Sequence, residues 1–566
     1  MGNPNSTHIE AAVDQQPSPT YWNHLKTLVL VVAVSSIYFC QMTLLVGGGL
    51  LARDIAAVVG GASLTAWPTA VLGIMVAALS PPASQVADYW GRKHLLVVFT
   101  GFGCVGAIIV SRSNSMGMAI AGFTIGGLSC VAQPLLHAVV SEVLPRKYRS
   151  WAQASVNVSV CLGAICGLLV GGALTQAHPG RFRTYFYISA SVYAASSIAC
   201  ALLYNPPPRE TQIASFRSKL RQLDWIGYGM VASGVSLLCI GLSWAENPYP
   251  WKSSHVLAPF LVGVVILVAL IVYEWKFRKD GLFHHSLFRH RNFPIALACI
   301  YIEGHGAFAA NYFVPFQLST GYPSMGSFRV GLCYAVSYFA FILFALTAGL
   351  FIWKTKSVRI PTMSGFLGFL LFFILAATST TSTPEANFWG YMVVLGAGLG
   401  LLLTTLVVAA QFSTPPGLIA ITSGLVLAVR SLGASTGLVI FQAVFSAGFS
   451  KNLAPKIAAA TLSLGMPETS LAPLIGGLTS GDTAAVAKIP GVTPEIIAAA
   501  GLALQETYHL AFSYVWAAAA SFTFLAFVGA GFLRDPKDEF TSTIDAPLDI
   551  VDISPGERAV EKAVAQ

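Results

Sequence analysis

Charged residues are scarce in this chain of 566 residues: only 10% are Asp, Glu, Lys or Arg, whereas 55% are hydrophobic. An ordinary soluble domain carries about 25% charged residues. The mean hydropathy of +0.68 indicates that too little polar side-chain surface is available to cover a water-facing protein. We therefore predict that lipid is the main solvent, since membrane-spanning segments satisfy their backbone polar groups internally.

Signatures of catalysis and of cofactor binding are also lacking. The sequence has no phosphate-binding P-loop, which excludes ATP as the energy source, and no Ser/His/Asp or paired-carboxylate arrangement indicates hydrolysis. The nine Cys residues lie in apolar runs without a CxxC pair, and His284, His285 and His290 have poor metal-ligand spacing. We expect no enzymatic activity, no metal and no cofactor, with a proton gradient as the energy source.

The net charge of +8 has an explanation other than nucleic-acid binding. Lys and Arg residues concentrate in the cytoplasmic loops of membrane proteins. We predict the lipid bilayer, protons and a small-molecule substrate as partners, with no nucleic acid and no obligate protein partner.

Fourteen apolar runs have about the 20 residues that a membrane-spanning helix needs. An even number of spans places both termini on one side, and Lys and Arg are more than twice as frequent on that side as on the other. This asymmetry predicts cytoplasmic termini. The predicted spans are 26–48, 64–83, 94–111, 116–140, 151–176, 184–204, 225–244, 255–273, 292–318, 326–352, 359–379, 387–410, 418–447 and 508–533.

Long connections divide these spans into groups of six, two and six, which predicts an all-α membrane protein made of two six-helix bundles and a central helix pair. The expected organisation is as follows: a cytoplasmic N-terminal tail at 1–25, the N-terminal bundle at 26–204, a basic linker at 205–224, the central pair at 225–273, a second linker at 274–291, the C-terminal bundle at 292–533 with a long extracellular loop at 448–507, and a cytoplasmic tail at 534–566.

The turn between spans 2 and 3, VADYWGRKHLL, gathers charges that the rest of the chain avoids. Gly91 tolerates the unusual dihedral angles of a tight turn, and Arg92 and Lys93 hold the turn on the cytoplasmic side. Asp88 can cap a helix or pair with a base. One interpretation is a breakable lock between the bundles; the other is that any short inner loop is basic.

Glycines recur at four-residue spacing in span 5, at Gly163, Gly167 and Gly171, with Gly172 adjacent. Such spacing lets two membrane helices approach closely. We expect a helix-packing face here.

The two motifs together resemble those of the major facilitator superfamily (MFS). Ser84-x-Val86-Ala87-Asp88-x-x-Gly91-Arg92-Lys93 is similar to its loop 2–3 signature G-x-L-x-D-R-x-G-R-K, with Ser84 and Tyr89 as departures. The span 5 glycines are similar to its antiporter motif G-x-x-x-G-P-x-x-G-G, with Leu168 in place of Pro. The resemblance implies the MFS fold, transport by alternating access, and a gating role for Asp88, Gly91 and Arg92.

Three further phrases, Met118–Phe123, Ala132–Leu136 and Gly167–Gly172, resemble the fungal trichothecene efflux pump group, to which siderophore–iron transporters are related. This implies a fourteen-span drug:proton antiporter of a fungal plasma membrane.

Ionisable residues at membrane depth are candidates for proton coupling, because a charge there is costly. Glu303 is deep in span 9, and Arg430 is near the middle of span 13 and needs a partner. We predict that Glu303 carries the coupling proton and that Arg430 contacts it. The alternatives are a structural carboxyl at Glu303 and a substrate-binding guanidinium at Arg430. His137 and Glu142, at the inner end of span 4, are weaker candidates.

Five amide side chains are candidates for hydrogen bonding to an oxygenated substrate. Each can serve instead as a bond between helices. We expect Asn311 to share the small, polar Glu303 face of span 9, with His305 on the opposite, packing face. The candidates are Gln41, Gln133, Asn157, Asn311 and Gln317.

The function predicted from these features is proton-driven export of a bulky apolar organic compound, such as a trichothecene-like mycotoxin or a xenobiotic. Two alternatives stay open. One is import of siderophore-bound iron with protons, and the other is a non-transporting nutrient sensor with the same fold.

Overall fold

The computed structural model of the chain describes residues 21–544 except 62–63, 66, 207–215, 246–248, 279–280, 283, 323–324, 416–417, 481–485 and 487. Most of the predicted tails at 1–25 and 534–566 (residues 1–20 and 545–566) and the middle of the first linker therefore lie outside the described residues. Within the described ranges the secondary structure is helical, with one isolated β-bridge between Ala245 and Tyr249 and no named strand.

All fourteen predicted spans are confirmed as helices long and apolar enough to cross a membrane. Span 4 consists of two helices, because the chain departs from regular helix at Ala132 before Pro134, which has no backbone N–H to donate. The first six spans are Tyr21–Leu50, Trp67–Trp90, Arg92–Ser111, Met116–Val131 with Gln133–Val143, Arg149–Ala177 and Phe182–Leu203.

Two short helices lie between spans: Ala52–Val59 follows span 1, and Phe216–Gln222 precedes span 7. Spans 7 and 8 are Trp225–Trp244 and Ser254–Lys276. Spans 9 to 14 are Asn292–Gly321, Ser327–Thr355, Arg359–Ala377, Glu385–Phe412, Ile419–Leu462 and Pro494–Ala530.

The central pair lies beside the seam between the two bundles. The Tyr228 hydroxyl on span 7 donates a hydrogen bond to Gln85 Oε1 on span 2 at 2.6 Å. Further along span 7, Cys239 Sγ lies 3.6 Å from Ser435 Oγ on span 13. Span 7 therefore touches one helix of each bundle, which covers the seam on one side.

The prediction of a loop at 448–507 is wrong in its secondary structure. Span 13 continues as one helix to Leu462, and its 44 residues extend about 66 Å at 1.5 Å per residue, well beyond a hydrocarbon core of about 30 Å. Another helix covers Leu471–Ser480, and span 14 begins at Pro494. Ile457, Leu474 and Ile496 belong to a small separate core, so this region is a helical cap at one end of the C-terminal bundle.

Buried cores fill both bundles. The largest lies in the C-terminal bundle, where Phe373 stacks on the buried Trp516 with ring centroids 5.8 Å apart. Two smaller cores fill the N-terminal bundle, one of them with rings such as Phe123 and Tyr185. Cys161 of span 5 belongs to the C-terminal core, and Ile419 and Ala420 of span 13 belong to an N-terminal one, so the two bundles also pack against each other.

Candidate transport site

The turn between spans 2 and 3 lies at what we call the basic end, the end of the molecule that carries residues 91–93, 144–148 and 355–359. Gly91 has a φ of 92°, which confirms that the turn needs a residue tolerant of positive φ. Arg92 lies 3.1 Å from Asp88 and also pairs with Glu142 on span 4. Lys93 donates a hydrogen bond to Asn205 after span 6.

These contacts correct one interpretation of the turn. Asp88, Arg92 and Glu142 belong to spans 2, 3 and 4, so their ion pairs fasten helices of the N-terminal bundle to one another. Contact with the other bundle comes from Ser84, because a Cβ placed on Gly424 of span 13 would lie 2.5 Å from Ser84 Oγ. Glu142, predicted as a proton-coupling candidate, belongs here to the ion group of the turn.

A buried polar cluster joins the two bundles near the basic end, with Gln411 of span 12 at its centre. Gln411 Oε1 accepts hydrogen bonds from Ser141 Oγ at 2.7 Å and from Gln153 Nε2 at 3.3 Å. Gln411 Nε2 donates to Ser423 Oγ at 3.1 Å and to the His137 carbonyl at 3.4 Å. All these residues are buried, so separation of the bundles here must break a satisfied polar network.

Further contacts extend the junction. Asn157 donates to Thr404 Oγ1 at 2.9 Å, and Ser150 donates to the Gly349 carbonyl at 3.0 Å. Arg149 is buried, lies 5.2 Å from the centre of the Phe412 ring and reaches the Gln411 carbonyl at 3.5 Å. The structure is therefore closed at the basic end.

The segment after span 14 crosses this junction, and we call residues 535–543 the strap. Asp535 Oδ1 accepts hydrogen bonds from the backbone N–H groups of Val358 and Arg359 at the start of span 11. Further along, Glu539 pairs with Arg146 at 2.8 Å. The Arg146 and Lys147 backbone N–H groups donate to Thr543 and Thr541 carbonyls, each at 3.0 Å. The strap thus connects the C-terminal bundle to the N-terminal one.

The predicted contact between Glu303 and Arg430 is present in the structure. Arg430 Nε lies 2.7 Å from Glu303 Oε2, and Arg430 Nη2 lies 3.0 Å from Glu303 Oε1. This bidentate geometry is the strongest that an Arg and a carboxylate form. Glu303 is fully buried, whereas the Arg430 side chain is 19% exposed. The accessible side of the pair is therefore the arginine side.

Glycines bring spans 9 and 13 together at this pair. A Cβ on Gly304 would collide with the Arg430 carbonyl, and one on Gly433 would collide with the Tyr301 carbonyl. A Cβ on Gly437 would lie 2.9 Å from the His305 backbone. The two helices therefore touch backbone to backbone, which allows the short Glu303 side chain to reach span 13.

Arg430 also faces the seam between the bundles. The side chains of Tyr38 on span 1 and Tyr338 on span 10 lie in its neighbourhood. The Phe308 ring centre lies 5.6 Å from the guanidinium. Tyr38 in turn packs edge-on against His137, with ring centroids 5.5 Å apart. The ion pair thus belongs to one bundle and has aromatic neighbours from both.

The two faces predicted for span 9 are partly confirmed. His305 packs against Tyr301, Phe441 and Phe522, as expected for a packing face. The placement of Asn311 on the Glu303 face is wrong in one respect, because Asn311 is exposed whereas Glu303 is buried. Since a helix turns 100° per residue, eight positions leave Asn311 rotated by only about 80° from Glu303, which here is enough to move it from the buried to the exposed side of span 9.

The other predicted amides mostly serve as links within the protein. Gln41 donates to the Ser129 carbonyl at 2.6 Å, and Gln317 bonds both Ser379 and Trp516. His137 Nδ1 lies 2.6 Å from Gln153 Oε1. Gln133 is buried on span 4. In this conformation Gln41, Gln317 and His137 therefore hold helices together.

Three of the four span 5 glycines face other helices. A Cβ on Gly163 would lie 2.5 Å from the Phe39 carbonyl of span 1, and Cβ atoms on Gly167 and Gly171 would lie 3.0 and 3.1 Å from Val46 and Leu50. Nothing lies within 4 Å of a Cβ on Gly172. The packing face therefore consists of Gly163, Gly167 and Gly171, and Gly172 lies outside it.

Sequence reasoning missed Gln411, the strap and the glycines of span 13. The spacing Gly433-x-x-x-Gly437, three residues after Arg430, was a usable signal for the contact with span 9. No local pattern marks Gln411, because its partners on the N-terminal bundle, Ser141, Gln153 and His137, lie far away in the chain. Within the described residues no group of three or more His, Cys, Asp or Glu side chains is placed to hold a metal.

Comparison with known proteins identifies the family. The model of the Major Facilitator Superfamily matches residues 30–438. The MFS-type transporter ucsD of an Acremonium species is 25% identical over 399 residues, which cover 69% of this chain and 66% of that protein. The MFS-type efflux transporter ffsH of Aspergillus flavipes is 26% identical over 404 residues, 70% of each chain.

Solved structures agree in fold. The human organic anion transporter MFSD10 superposes with a TM-score of 0.54 at 13% identity, covering 91% of this chain and 100% of that one. The proton:xylose symporter XylE also gives 0.54, at 12% identity, covering 92% and 98%. Because the family model spans most of the chain, the protein belongs to the major facilitator superfamily.

Proposed function

We propose that this transporter exports a bulky apolar organic compound from a fungal cell and that inward movement of protons through the Glu303–Arg430 pair drives the export. The observation that carries the proposal is a fully buried carboxylate on span 9, bound at 2.7 and 3.0 Å by a single arginine. The relative from Aspergillus flavipes is described as an efflux transporter, which favours this direction of transport.

A proton and Arg430 compete for the same carboxylate. When Glu303 is charged, the guanidinium neutralises it, and the pair is stable inside the membrane because both charges are satisfied. When Glu303 takes up a proton, the ionic attraction disappears, and Arg430 gains freedom to turn toward the seam. In the empty, protonated site the freed guanidinium then turns toward the nearby Tyr38 or Tyr338.

The closed basic end supplies the other half of the cycle. We place this end in the cytoplasm, since the excess of Lys and Arg residues is on this side. Access from the cytoplasm then requires the Gln411 cluster and the strap to separate. Export follows if a protonated Glu303 favours cytoplasmic opening and proton loss favours the closed state, because each proton released inward accompanies one return of the empty site.

Retention of a labelled trichothecene tests this proposal in cells that express the chain, with and without a protonophore. We expect retention below that of empty-vector cells, and we expect the protonophore to abolish the difference. Glu303→Gln should remove the proton-dependent part of transport, whereas Glu303→Asp should keep some of it. Retention equal to that of empty-vector cells, with the protein present at the cell surface, would contradict export of this substrate class. Ferric-siderophore uptake would then be measured.

A matched control comes from the opposite end of the molecule. Glu385 forms an ion pair with Arg329 at 2.7 Å, and the arginine is largely exposed. Glu385→Gln removes an ion pair by the same chemical change but far from the seam. We expect proton-dependent transport by this variant to stay within about twofold of that of the unmodified protein, since exposed ion pairs contribute only about 0–1 kcal/mol to stability. Equal losses in both variants would argue against a specific role for Glu303.

A further inference from the structure

A cavity of about 400 Å³ opens at the basic end, where the two bundles and the strap meet. Its lining residues are Lys147 from the N-terminal bundle, Trp353, Lys354 and Lys356 from the end of span 10, and Phe540 from the strap. This volume lies within the range of about 300–1,000 Å³ that is typical of small-molecule sites.

The lining is strongly basic. Three of the five lining residues are lysines and none is acidic. Lys147 donates to Ser542 Oγ at 3.3 Å and lies over the Tyr148 ring. Among the described residues, the ammonium groups of Lys354 and Lys356 have no hydrogen-bond acceptor or acidic partner. Like charges that converge on one cavity repel each other, and an anion in the cavity would relieve this repulsion.

The backbone conformation of Lys356 also indicates a functional role for this end of span 10. Lys356 caps the end of span 10 with a φ of 55° and a ψ of 24°, and it is the one non-glycine residue with positive φ in the described part of the chain. Helices commonly end in this conformation with glycine, which adopts it without steric strain. A lysine here keeps the strain and adds an ammonium group to the cavity, and such strain tends to occur at functional positions.

The side chains beside the cavity are of the kinds typical of the lipid headgroup layer. Tyr148 and Trp353 stack at a centroid distance of 6.4 Å beside it, and each ring is more than a third exposed. Trp and Tyr concentrate at the two membrane–water interfaces. Lysines at the ends of spans extend toward the same layer. A ligand that enters from the side therefore comes from the headgroup region of the bilayer.

We propose that this cavity binds the phosphate monoester headgroup of an anionic phospholipid and that the bound phosphate bridges Lys147 of one bundle to Lys354 and Lys356 of the other. A monoester carries close to two negative charges near neutral pH, which suits three lysines better than a singly charged diester does. Because the bridge spans the junction, binding favours the state closed at the basic end. The inference does not depend on the direction of transport.

Native mass spectrometry of the purified full-length protein in detergent tests the proposal, with dioctanoyl phosphatidic acid as the probe. Dioctanoyl phosphatidylglycerol is the singly charged diester control, dioctanoyl phosphatidylcholine is the zwitterionic control, and inorganic phosphate is the soluble competitor. We expect phosphatidic acid to bind at least tenfold more tightly than phosphatidylcholine and severalfold more tightly than phosphatidylglycerol. Binding of either control lipid equal to that of phosphatidic acid would overturn the proposal. Displacement by inorganic phosphate at the lipid's own concentration would overturn the assignment to a lipid.

Variants separate the charge effect from the effect on folding. Lys354→Gln should weaken phosphatidic acid binding about fivefold, as expected for one lysine near an anionic headgroup. Lys356→Gly should weaken it similarly while it leaves thermal stability unchanged or higher, because glycine relieves the positive φ. The control Lys276→Gln, at the exposed end of span 8, should bind phosphatidic acid with an affinity within twofold of that of the unmodified protein. Unaltered binding in both cavity variants would refute the site.

Hydrogen exchange tests the bridge itself. The Arg146 and Lys147 amides bond to strap carbonyls, so their exchange should slow severalfold when phosphatidic acid binds and stay constant with phosphatidylcholine. Binding without this added protection would show that the phosphate does not hold the strap and the bundles together.

Discussion

Each of the two bundles contains a buried ion group, and the two groups differ in composition and depth. In the N-terminal bundle, Arg92 pairs with two acids, Asp88 and Glu142, at a turn beside the basic end. In the C-terminal bundle, Glu303 pairs with Arg430 alone, far from either end of spans 9 and 13. The first group has a surplus acid and fastens a turn. The second is balanced, and a single proton changes its charge.

This difference separates a structural role from a coupling role. Near a helix end, water and neighbouring loop residues can stabilise a charge when its partner is lost. In mid-membrane, only the partner neutralises the charge, so breaking the pair is more costly and a proton is the available substitute. The same residue types therefore serve different purposes according to depth.

Removal of Arg430 should have the largest effect on stability. Arg430→Gln leaves Glu303 buried without its cation, and we expect a loss of about 3–5 kcal/mol, measured by thermal unfolding in detergent. The double variant Glu303→Gln with Arg430→Gln should recover much of the loss, since no charge is then buried. A double variant as unstable as the sum of the two single ones would contradict direct pairing.

The turn should be less sensitive than the mid-membrane pair. Arg92→Gln leaves Asp88 and Glu142 without their shared base, and we expect a loss of about 2–4 kcal/mol, lower than for Arg430→Gln because the turn lies near water. Transport rate should fall while the substrate concentration for half-maximal rate changes little. A larger loss of stability for Arg92→Gln than for Arg430→Gln would show that depth in the membrane does not determine the cost of breaking an ion pair.

The glycines of span 5 offer a matched pair within one motif. Gly163→Ala places a Cβ 2.5 Å from the Phe39 carbonyl, and such overpacking costs about 1–3 kcal/mol. Gly172→Ala meets nothing within 4 Å, so it should stabilise the helix by about 0.5–1 kcal/mol. Thermal unfolding of both variants measures the contrast, and equal shifts would show that spans 1 and 5 are not in backbone contact.

The smallest effect is expected at the strap. Glu539 is 44% exposed in its pair with Arg146, so Glu539→Gln should change stability by only about 0.2–1 kcal/mol, and less at high salt. Exchange of the Arg146 amide should nevertheless accelerate, because the ion pair helps to hold the Thr543 carbonyl in place. Unchanged exchange would mean that the backbone bonds alone keep the strap docked.

The amino-acid sequence by itself determined the fourteen spans and the charged turn, because both depend on local properties. The length of a hydrophobic run decides whether a segment can span the bilayer, and a glycine permits a tight turn. It also marked Glu303 and Arg430, since isolated charges in apolar runs stand out without any structure. Their pairing was a prediction that needed the structure, because it depends on how closely Gly304 and Gly433 bring two distant helices together.

Only the tertiary structure decided the contacts between the bundles. The place of span 7 against spans 2 and 13, the Gln411 cluster and the strap all join residues far apart in the chain. The helices of the cap at 448–507 also escaped prediction, because their alanine- and glycine-rich sequence lacks the continuous apolar character of a span. The physical reason is the same in each case: hydrophobicity sets which segments enter the membrane, but specific packing and polar partners set which segments meet.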